Sequence, residues 1–295
     1  MLKRVGLFIL TNIAVIAIVT VIFALLQALG IVPKGGTSTY GGLFIFCLVW
    51  GMAGSGISLF LSKWMAKRAM GVRVIESPSN EFEAWYVSVV TRQAQMLGIK
   101  TPEIGIFDDP NPNAFATGAT KNSSLVAINT GLIHSMNRDE LEAVIGHEMA
   151  HVANGDMVTM MLLQGVVNAF VMFFARVIAQ VVARNNDGEI SQGTYFMVTM
   201  VLQILFGILA SIITSGFSRY REYRADEGGA KLTSNAQMIS ALKALGRGAN
   251  PSAELEGEFA AFGVSGKFGN LFSTHPPLEQ RIAALESGHR PSVMA

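Results

Sequence analysis

Two histidines four residues apart flank a glutamate in the segment His147-Glu148-Met149-Ala150-His151. On a helix, positions i and i+4 lie one above the other on the same face. Both imidazoles can therefore reach one cation, at Zn–N distances of about 2.0–2.1 Å. Glu148 can accept a proton from a water molecule that the cation activates, without being a ligand itself. The spacing predicts one Zn²⁺ per chain, with His147 and His151 as ligands and Glu148 as general base.

The same five-residue pattern also occurs by chance in unrelated proteins, so its surroundings matter. The chain has five histidines, and two of them are in this segment. Asn137 and Glu140 have the spacing of a capping box, which opens a helix, and Gly155 is placed to end that helix. The flanks of the segment are polar, which puts the helix at or outside a membrane surface: Glu140, Glu142, Asn154 and Asp156. These surroundings favour the metal site over a chance match.

A third metal ligand must come from elsewhere, because catalytic zinc usually has three protein ligands and one open position. A metzincin pattern requires glycine and histidine three and six residues after His151, where the chain has Asn154 and Met157. An intramembrane zinc protease would bury the segment in lipid, which its polar flanks argue against. The remaining type, the gluzincin, takes a glutamate from a second helix.

Glu222 and Asp226 are four residues apart and share a helix face. Glu222 can bind zinc, while Asp226 can accept the N–H of a ligand histidine and fix its tautomer. The alternative is ordinary charge pairing with Arg219 or Arg221 on a solvated surface. Glu227 is a weaker competitor for the ligand role.

Long apolar runs must position these residues. Hydrophobic residues make up 51% of the chain and charged residues 15%, whereas a typical soluble domain has about 25% charged residues. The excess of hydrophobic residues lies in four apolar runs, at about 6–29, 40–61, 157–183 and 195–217. Each run can cross a hydrocarbon core about 30 Å thick. We therefore expect a mainly α membrane protein with four transmembrane helices.

Two of these assignments have alternatives. The first run could be a cleaved signal peptide, because residues 28–30 resemble a cleavage site, but it is longer than the usual apolar region of 7–15 residues. The runs at 157–183 and 195–217 could be core helices of a soluble domain. Their length and spacing favour a second membrane hairpin, with Arg176 near its outer end.

The cationic residues beside the first two runs indicate the orientation. They lie before the first run and after the second: Lys3, Arg4, Lys63, Lys67 and Arg68. Positive residues stay on the cytoplasmic side, so we expect the polar parts of the chain to face the cytoplasm. The third run leaves that face after His151 and the fourth returns just before Glu222. A membrane hairpin would thus bring the three ligands together.

The resulting domain order alternates membrane and polar parts: a hairpin at 1–62, the first part of a catalytic domain at 63–156, a second hairpin at 157–217 and the second part of that domain at 218–295. Apolar spacing and turn residues predict its elements: a helix at 79–97, strands at 103–107, 113–117 and 124–129, a helix ending near 154, and a helix after His275.

The net charge of +1, with no basic block, excludes an electrostatic footprint for nucleic acid. The single cysteine, Cys47, excludes both an intrachain disulfide and a cysteine metal site. We expect it to be a small buried residue. Nothing in the sequence indicates the oligomeric state.

Four stretches resemble one family in residues and order: Asn113–Gly118, His147–Asp156, Arg221–Asp226 and Thr274–Leu278. They resemble the HtpX family of bacterial membrane metalloproteases, which is related to the CAAX prenyl-protein zinc proteases. The resemblance implies a cytoplasmic zincin-like α+β domain in the bacterial inner membrane. It also implies quality control under stress, with misfolded or damaged membrane proteins and unfolded polypeptides as substrates.

The resemblance further implies roles for two segments. Asn113, Ala114, Phe115 and Ala116 would belong to an edge strand that pairs with substrate backbone, although a plain structural strand is the alternative. His275 would lie near the metal as a transition-state helper, although a histidine before two prolines is more often a loop residue. His134 and His289 are expected on the surface, and the stretch 257–270 as a flap over the cleft.

Two other functions are alternatives to a protease. A membrane-bound binding or chaperone-like protein could hold structural zinc through four ligands, with His275 as the fourth, but Glu148 would then have no purpose. A transporter would carry ionisable residues inside its spans, and only Arg176 fits.

Overall fold

The computed structural model describes residues 20–22, 24–30, 36–185, 187–248 and 273–288. Its helices in these ranges, after a 3-10 turn at Gly36–Ser38, are α1 (Tyr40–Met70), α2 (Glu81–Leu97), α3 (Thr130–Ser135), α4 (Arg138–Asn154), α5 (Asp156–Val182), α6 (Gln192–Leu232), α7 (Asn235–Gly248) and α8 (Leu278–Ser287). The strands are β1 (Arg73–Val74), β2 (Glu103–Phe107), β3 (Ala114–Thr120) and β4 (Ser123–Asn129). The expected flap at 257–270 and His289 lie outside the described residues, as does most of the first apolar run.

Three of the described helices are long and apolar enough to cross a membrane: α1, α5 and α6. The large apolar side chains of α6 are exposed rather than packed in a protein core, among them Phe196, Val201 and Leu209. This exposure favours membrane spans over the core-helix alternative for this run. Within the described ranges, three of the four predicted runs thus form helices that are long and apolar enough to span a membrane.

The chain divides into two compact units, one within Met1–Ser58 and Met160–Ile213 and the other within Leu59–Thr159 and Thr214–Ala295. In the first unit α1 packs on α5 through Phe44, whose ring lies edge-on to Phe173 at a centroid distance of 5.4 Å. Cys47 is fully buried in this unit, as expected.

The second unit is built on a four-stranded sheet of order β1-β2-β4-β3. β2 and β4 are parallel, while β1 and β3 are antiparallel to their neighbours. β4 is the buried strand, since Leu125, Val126 and Ala127 have no exposed surface. β3 lies at the sheet edge, with Phe115 opposite Ala127. The three predicted strands are confirmed to within three residues, and β1 is an addition.

α4, which carries the two histidines, begins and ends as its sequence predicts. The Asn137 side chain accepts the N–H of Glu140, and the Glu140 carboxylate accepts the N–H of Asn137, so the capping box is complete. The helix ends at Gly155, whose φ of 68° is the left-handed conformation that glycine adopts without strain. Leu141, Ile145 and Met149 of α4 are buried in the core of the unit. Their packing fixes the rotation of the helix about its axis, and so the direction in which His147 and His151 point.

α6 differs from its sequence prediction in length. The fourth apolar run was expected to end near residue 217, but the helix continues unbroken to Leu232, 41 residues in all. Its polar continuation contains Glu222 and Asp226. The residues after the apolar run have no helix-breaking proline, so the backbone hydrogen bonding continues through them.

Candidate metal centre

His147, His151 and Glu222 each direct a ligand atom to one point, and these atoms lie within 4.8 Å of one another. The two imidazole Nε2 atoms are 3.1 Å apart. The carboxylate of Glu222 spans both rings, with Oε1 3.3 Å from His151 Nε2 and Oε2 3.4 Å from His147 Nε2. The structure thus brings together the three residues that the sequence predicted as metal ligands.

A close contact between α4 and α6 positions Glu222 opposite the histidines. A Cβ atom on Gly229 would lie 2.9 Å from the backbone nitrogen of His147, and one on Gly228 would lie 2.5 Å from the Ala150 Cβ. Any larger residue at these positions would push the two helices apart. Because Glu222 lies two turns before this contact on the same helix, the glycine pair sets its distance from the imidazoles.

Asp226 holds His147 from behind, as the sequence predicted for a histidine of the site. Its Oδ1 atom lies 2.9 Å from His147 Nδ1. Arg281 of α8 donates to both oxygens of Asp226, from Nη2 at 2.6 Å and from Nε at 2.8 Å. A carboxylate held in this way accepts the Nδ1–H of the ring and leaves the Nε2 lone pair directed at the ligand point.

Sequence reasoning missed Arg281. The signal was present, because Leu278, Arg281, Ile282 and Leu285 have the i, i+3, i+4, i+7 spacing of a buried helix face. A charged residue within an apolar stripe must find a buried partner. Only the folded chain shows that the partner is Asp226, 55 residues away.

Asp156 was also missed as a partner of the site. Its Oδ2 atom lies 2.7 Å from His151 Nδ1. α4 ends at Gly155, which has a left-handed conformation, and Asp156, the first residue of α5, contacts the last turn of α4. In the sequence, Asp156 is a polar flank of the histidine segment and the last residue of the family-like stretch His147–Asp156.

The donor atoms fit a bound divalent cation. Since both Nδ1 atoms contact carboxylates, both neutral imidazoles direct an Nε2 lone pair at the same point. The Glu222 Oε2 atom is buried and has no hydrogen-bond donor among the described residues. The Nη1 atom of Arg281 lies 3.7 Å away, too far for a hydrogen bond, so a cation bound at the ligand point would stabilise this oxygen. Burial would lower the pKa of His147, but the neighbouring carboxylates of Asp226 and Glu222 raise that pKa to about 10, so the ring carries a proton unless a bound cation takes its place. The site therefore favours positive charge.

Glu148 is half-buried on α4 and is not part of the three-ligand group. Its carboxylate lies close enough to Arg281 and to the buried Tyr86 to act on both electrostatically. Glu148 thus lies on the helix of the two histidines and near Arg281 but outside the three-ligand group.

His275 approaches the same group from the loop before α8. Its Nε2 atom lies 3.7 Å from Glu222 Oε2, while its Nδ1 atom is 3.1 Å from the hydroxyl of Thr274. The imidazole is exposed and lies outside the group of three ligands. His134 is exposed at the end of α3, as expected for a surface residue.

The expected substrate strand lies next to α4. Asn113 precedes β3, while Ala114, Phe115 and Ala116 form its first part. β3 contacts α4 and pairs with β4 only, so its other edge has no strand partner among the described residues.

The chain is similar to known proteins in sequence and in fold. The sequence profile of peptidase family M48 matches residues 80–288, which contain every residue of the metal centre. Protease HtpX of Aeromonas hydrophila is 55% identical over 294 residues, covering 96% of this chain and 99% of its own. A Protease HtpX homolog of Neisseria meningitidis is 54% identical over 287 residues, covering 97% and 100%.

Among solved structures, the crystal structure of S. mikatae Ste24p matches with a TM-score of 0.61 at 18% identity. The match covers 97% of this chain and 67% of the other. At that identity the likeness shows a common fold. The match to the family profile and the relatives that are more than half identical over nearly the whole chain show the family. This chain belongs to peptidase family M48, as an HtpX-type membrane metalloprotease.

Proposed function

We propose that the chain is a zinc endopeptidase of the gluzincin type, anchored in the bacterial inner membrane, that hydrolyses misfolded or damaged membrane proteins and unfolded polypeptides. The observation that carries this proposal is the convergence of His147, His151 and Glu222 from two helices on one point. The match to a peptidase family and the three long apolar helices support the proposal. The cellular role in quality control rests on the resemblance to HtpX proteases.

Zinc is the cation that two imidazoles and one carboxylate suit best, with a fourth position open. When bound, it supplies a Lewis acid that activates water and polarises a carbonyl. Asp226 and Arg281 hold the His147 ring in place during the reaction. Glu148 takes a proton from the attacking water and gives it to the leaving amine, which is general acid–base catalysis by one carboxylate. His275, at the rim, is suited to donate to the charge that develops on the substrate oxygen.

Substrate backbone would pair with the free edge of β3, at Ala114, Phe115 and Ala116, with Asn113 at its start. An extended peptide added to an exposed strand gains affinity from main-chain hydrogen bonds. Peptides with N-methylated amides on either side of the cleaved bond should therefore bind more weakly than unmodified ones, measured as a higher KM. Equal KM values for the two peptides would argue against the pairing.

We place the second compact unit on the cytoplasmic side of a four-span protein, with the domain order 1–62, 63–156, 157–217 and 218–295. The supporting feature is the cationic stretch after the second apolar run, which contains Lys63, Lys67 and Arg68. The remaining one of the four spans would be the first apolar run, at 6–29.

One experiment tests the function and the orientation together. Inverted inner-membrane vesicles containing the protein should cleave added unfolded casein, whereas right-side-out vesicles should not. A zinc chelator should abolish the cleavage and added Zn²⁺ should restore it. Cleavage that resists chelation would contradict the metal mechanism. Cleavage by right-side-out vesicles alone would contradict the orientation.

A further inference from the structure

The two imidazoles of the site are held by different carboxylates. His147 Nδ1 contacts Asp226, the partner that the sequence predicted on the helix of the third ligand. His151 Nδ1 instead contacts Asp156 Oδ2 at 2.7 Å. Asp156 lies five residues after His151 in sequence, directly after Gly155, whose left-handed conformation ends α4.

We propose that Asp156 is a positioning residue for the metal centre, which orients His151 toward the cation and is itself held by Arg224. The inference rests on the proposed metal-binding function of His147, His151 and Glu222. It gives the site a second histidine–carboxylate–arginine chain, beside the chain of His147, Asp226 and Arg281.

The surroundings of Asp156 support an orienting role. The residue is buried, and an isolated buried carboxylate would be strongly unfavourable. Its two oxygens have separate partners: Oδ2 contacts the His151 ring, and Oδ1 accepts from Arg224 Nη2 at 3.2 Å. The carboxylate therefore has one orientation, with one oxygen reserved for the imidazole.

The same contacts couple the two metal-binding helices. Arg221 and Arg224 lie on α6 on either side of Glu222, and Arg221 Nη1 reaches the backbone oxygen of Asp156 at 3.4 Å. One turn of α6 thus supplies the carboxylate ligand and also holds the residue behind His151. Any shift of α6 along its axis would move both at once.

A purely structural role for Asp156 makes a different prediction. Asp156 begins α5, where an acidic residue stabilises the helix through its dipole. If that were its only role, replacement would lower the melting temperature but leave the metal affinity of the folded protein unchanged. Metal affinity therefore separates the two roles.

The test is equilibrium Zn²⁺ affinity of the full-length protein in detergent, measured by competition with a chromophoric chelator. Asp156→Asn keeps the size of the side chain and one acceptor oxygen but removes the charge, and it should weaken Zn²⁺ binding by about 10-fold. Asp156→Ala should weaken it further, towards about 100-fold. The visible spectrum of the Co²⁺-substituted protein should change in the same variants. Asp139→Asn, at an exposed position in the first turn of α4, is the matched control.

Arg224→Met gives a second route, because it leaves the carboxylate in place and removes its support. It should weaken Zn²⁺ binding in the same direction and to a smaller extent. Wild-type affinity in both Asp156→Asn and Arg224→Met would overturn the inference, whatever their melting temperatures. Failure of the wild-type protein to bind Zn²⁺ would instead overturn the proposed function itself, so the two failures are distinguishable.

Discussion

Replacing Glu148 by glutamine should lower peptide hydrolysis by about 10²–10⁴-fold while the protein keeps its metal. Glutamine has nearly the same size and cannot accept a proton from water. Because Glu148 is not one of the three residues that converge on the ligand point, its loss should not change metal binding. Turnover of a fluorogenic peptide and metal content by mass spectrometry would be measured on the same preparation.

Glu142→Gln is the matched control for this variant. Glu142 lies on the same helix, six residues before Glu148, and its carboxylate pairs with Arg92 outside the metal centre. That variant should retain wild-type turnover. Near-normal hydrolysis by Glu148→Gln would rule out the proposed general base, and it would favour a closed structural metal site in a binding protein.

Replacing Glu222 by alanine should remove both the metal and the activity. Glu222 is the one ligand that α6 supplies, and its carboxylate spans both imidazoles. Loss of an outer partner of a metal ligand typically costs 10–100-fold in affinity, so loss of a ligand itself should exceed that range. Loss of the negative charge of Glu222 also weakens the electrostatic attraction of the site for a cation. Zn²⁺ affinity and peptide turnover are the measurements.

Glu227→Ala is the informative comparison, because the sequence left Glu227 as a competitor for the ligand role. Its carboxylate lies 3.8 Å from Lys231 and is not in the converging group. Glu227→Ala should bind Zn²⁺ as tightly as the wild type. If the two glutamates exchanged their effects, Glu227 rather than Glu222 would be the third ligand.

Local features of the fold were predictable because they depend on neighbours in sequence. Asn137, Glu140 and Gly155 determine where α4 begins and ends through contacts made within one turn. The same short range places His147 and His151 on one face. The lengths of the apolar runs likewise predicted α1, α5 and α6, because a membrane core sets the length of the helix that crosses it.

The far end of α6 shows where pattern reasoning stops. The sequence predicts a membrane span that ends near residue 217 and a helix face that contains Glu222 and Asp226, and the structure joins the two in one helix that ends at Leu232. Hydropathy reports the solvent around a helix, not its hydrogen bonding. The two coincide only where proline, glycine or a capping residue also ends the helix.

The sequence by itself determined the two histidines, the adjacent glutamate and the helix that presents them, because residues four apart on a helix lie on the same face. It also predicted Glu222 as the third ligand, with Glu227 as a weaker competitor. Only the tertiary structure decided that Asp226 holds His147 across 79 residues, that Arg281 holds Asp226, and that Asp156 holds His151. Such contacts follow from how helices pack, and the packing depends on small residues such as Gly229 whose importance appears only once a second helix lies against them.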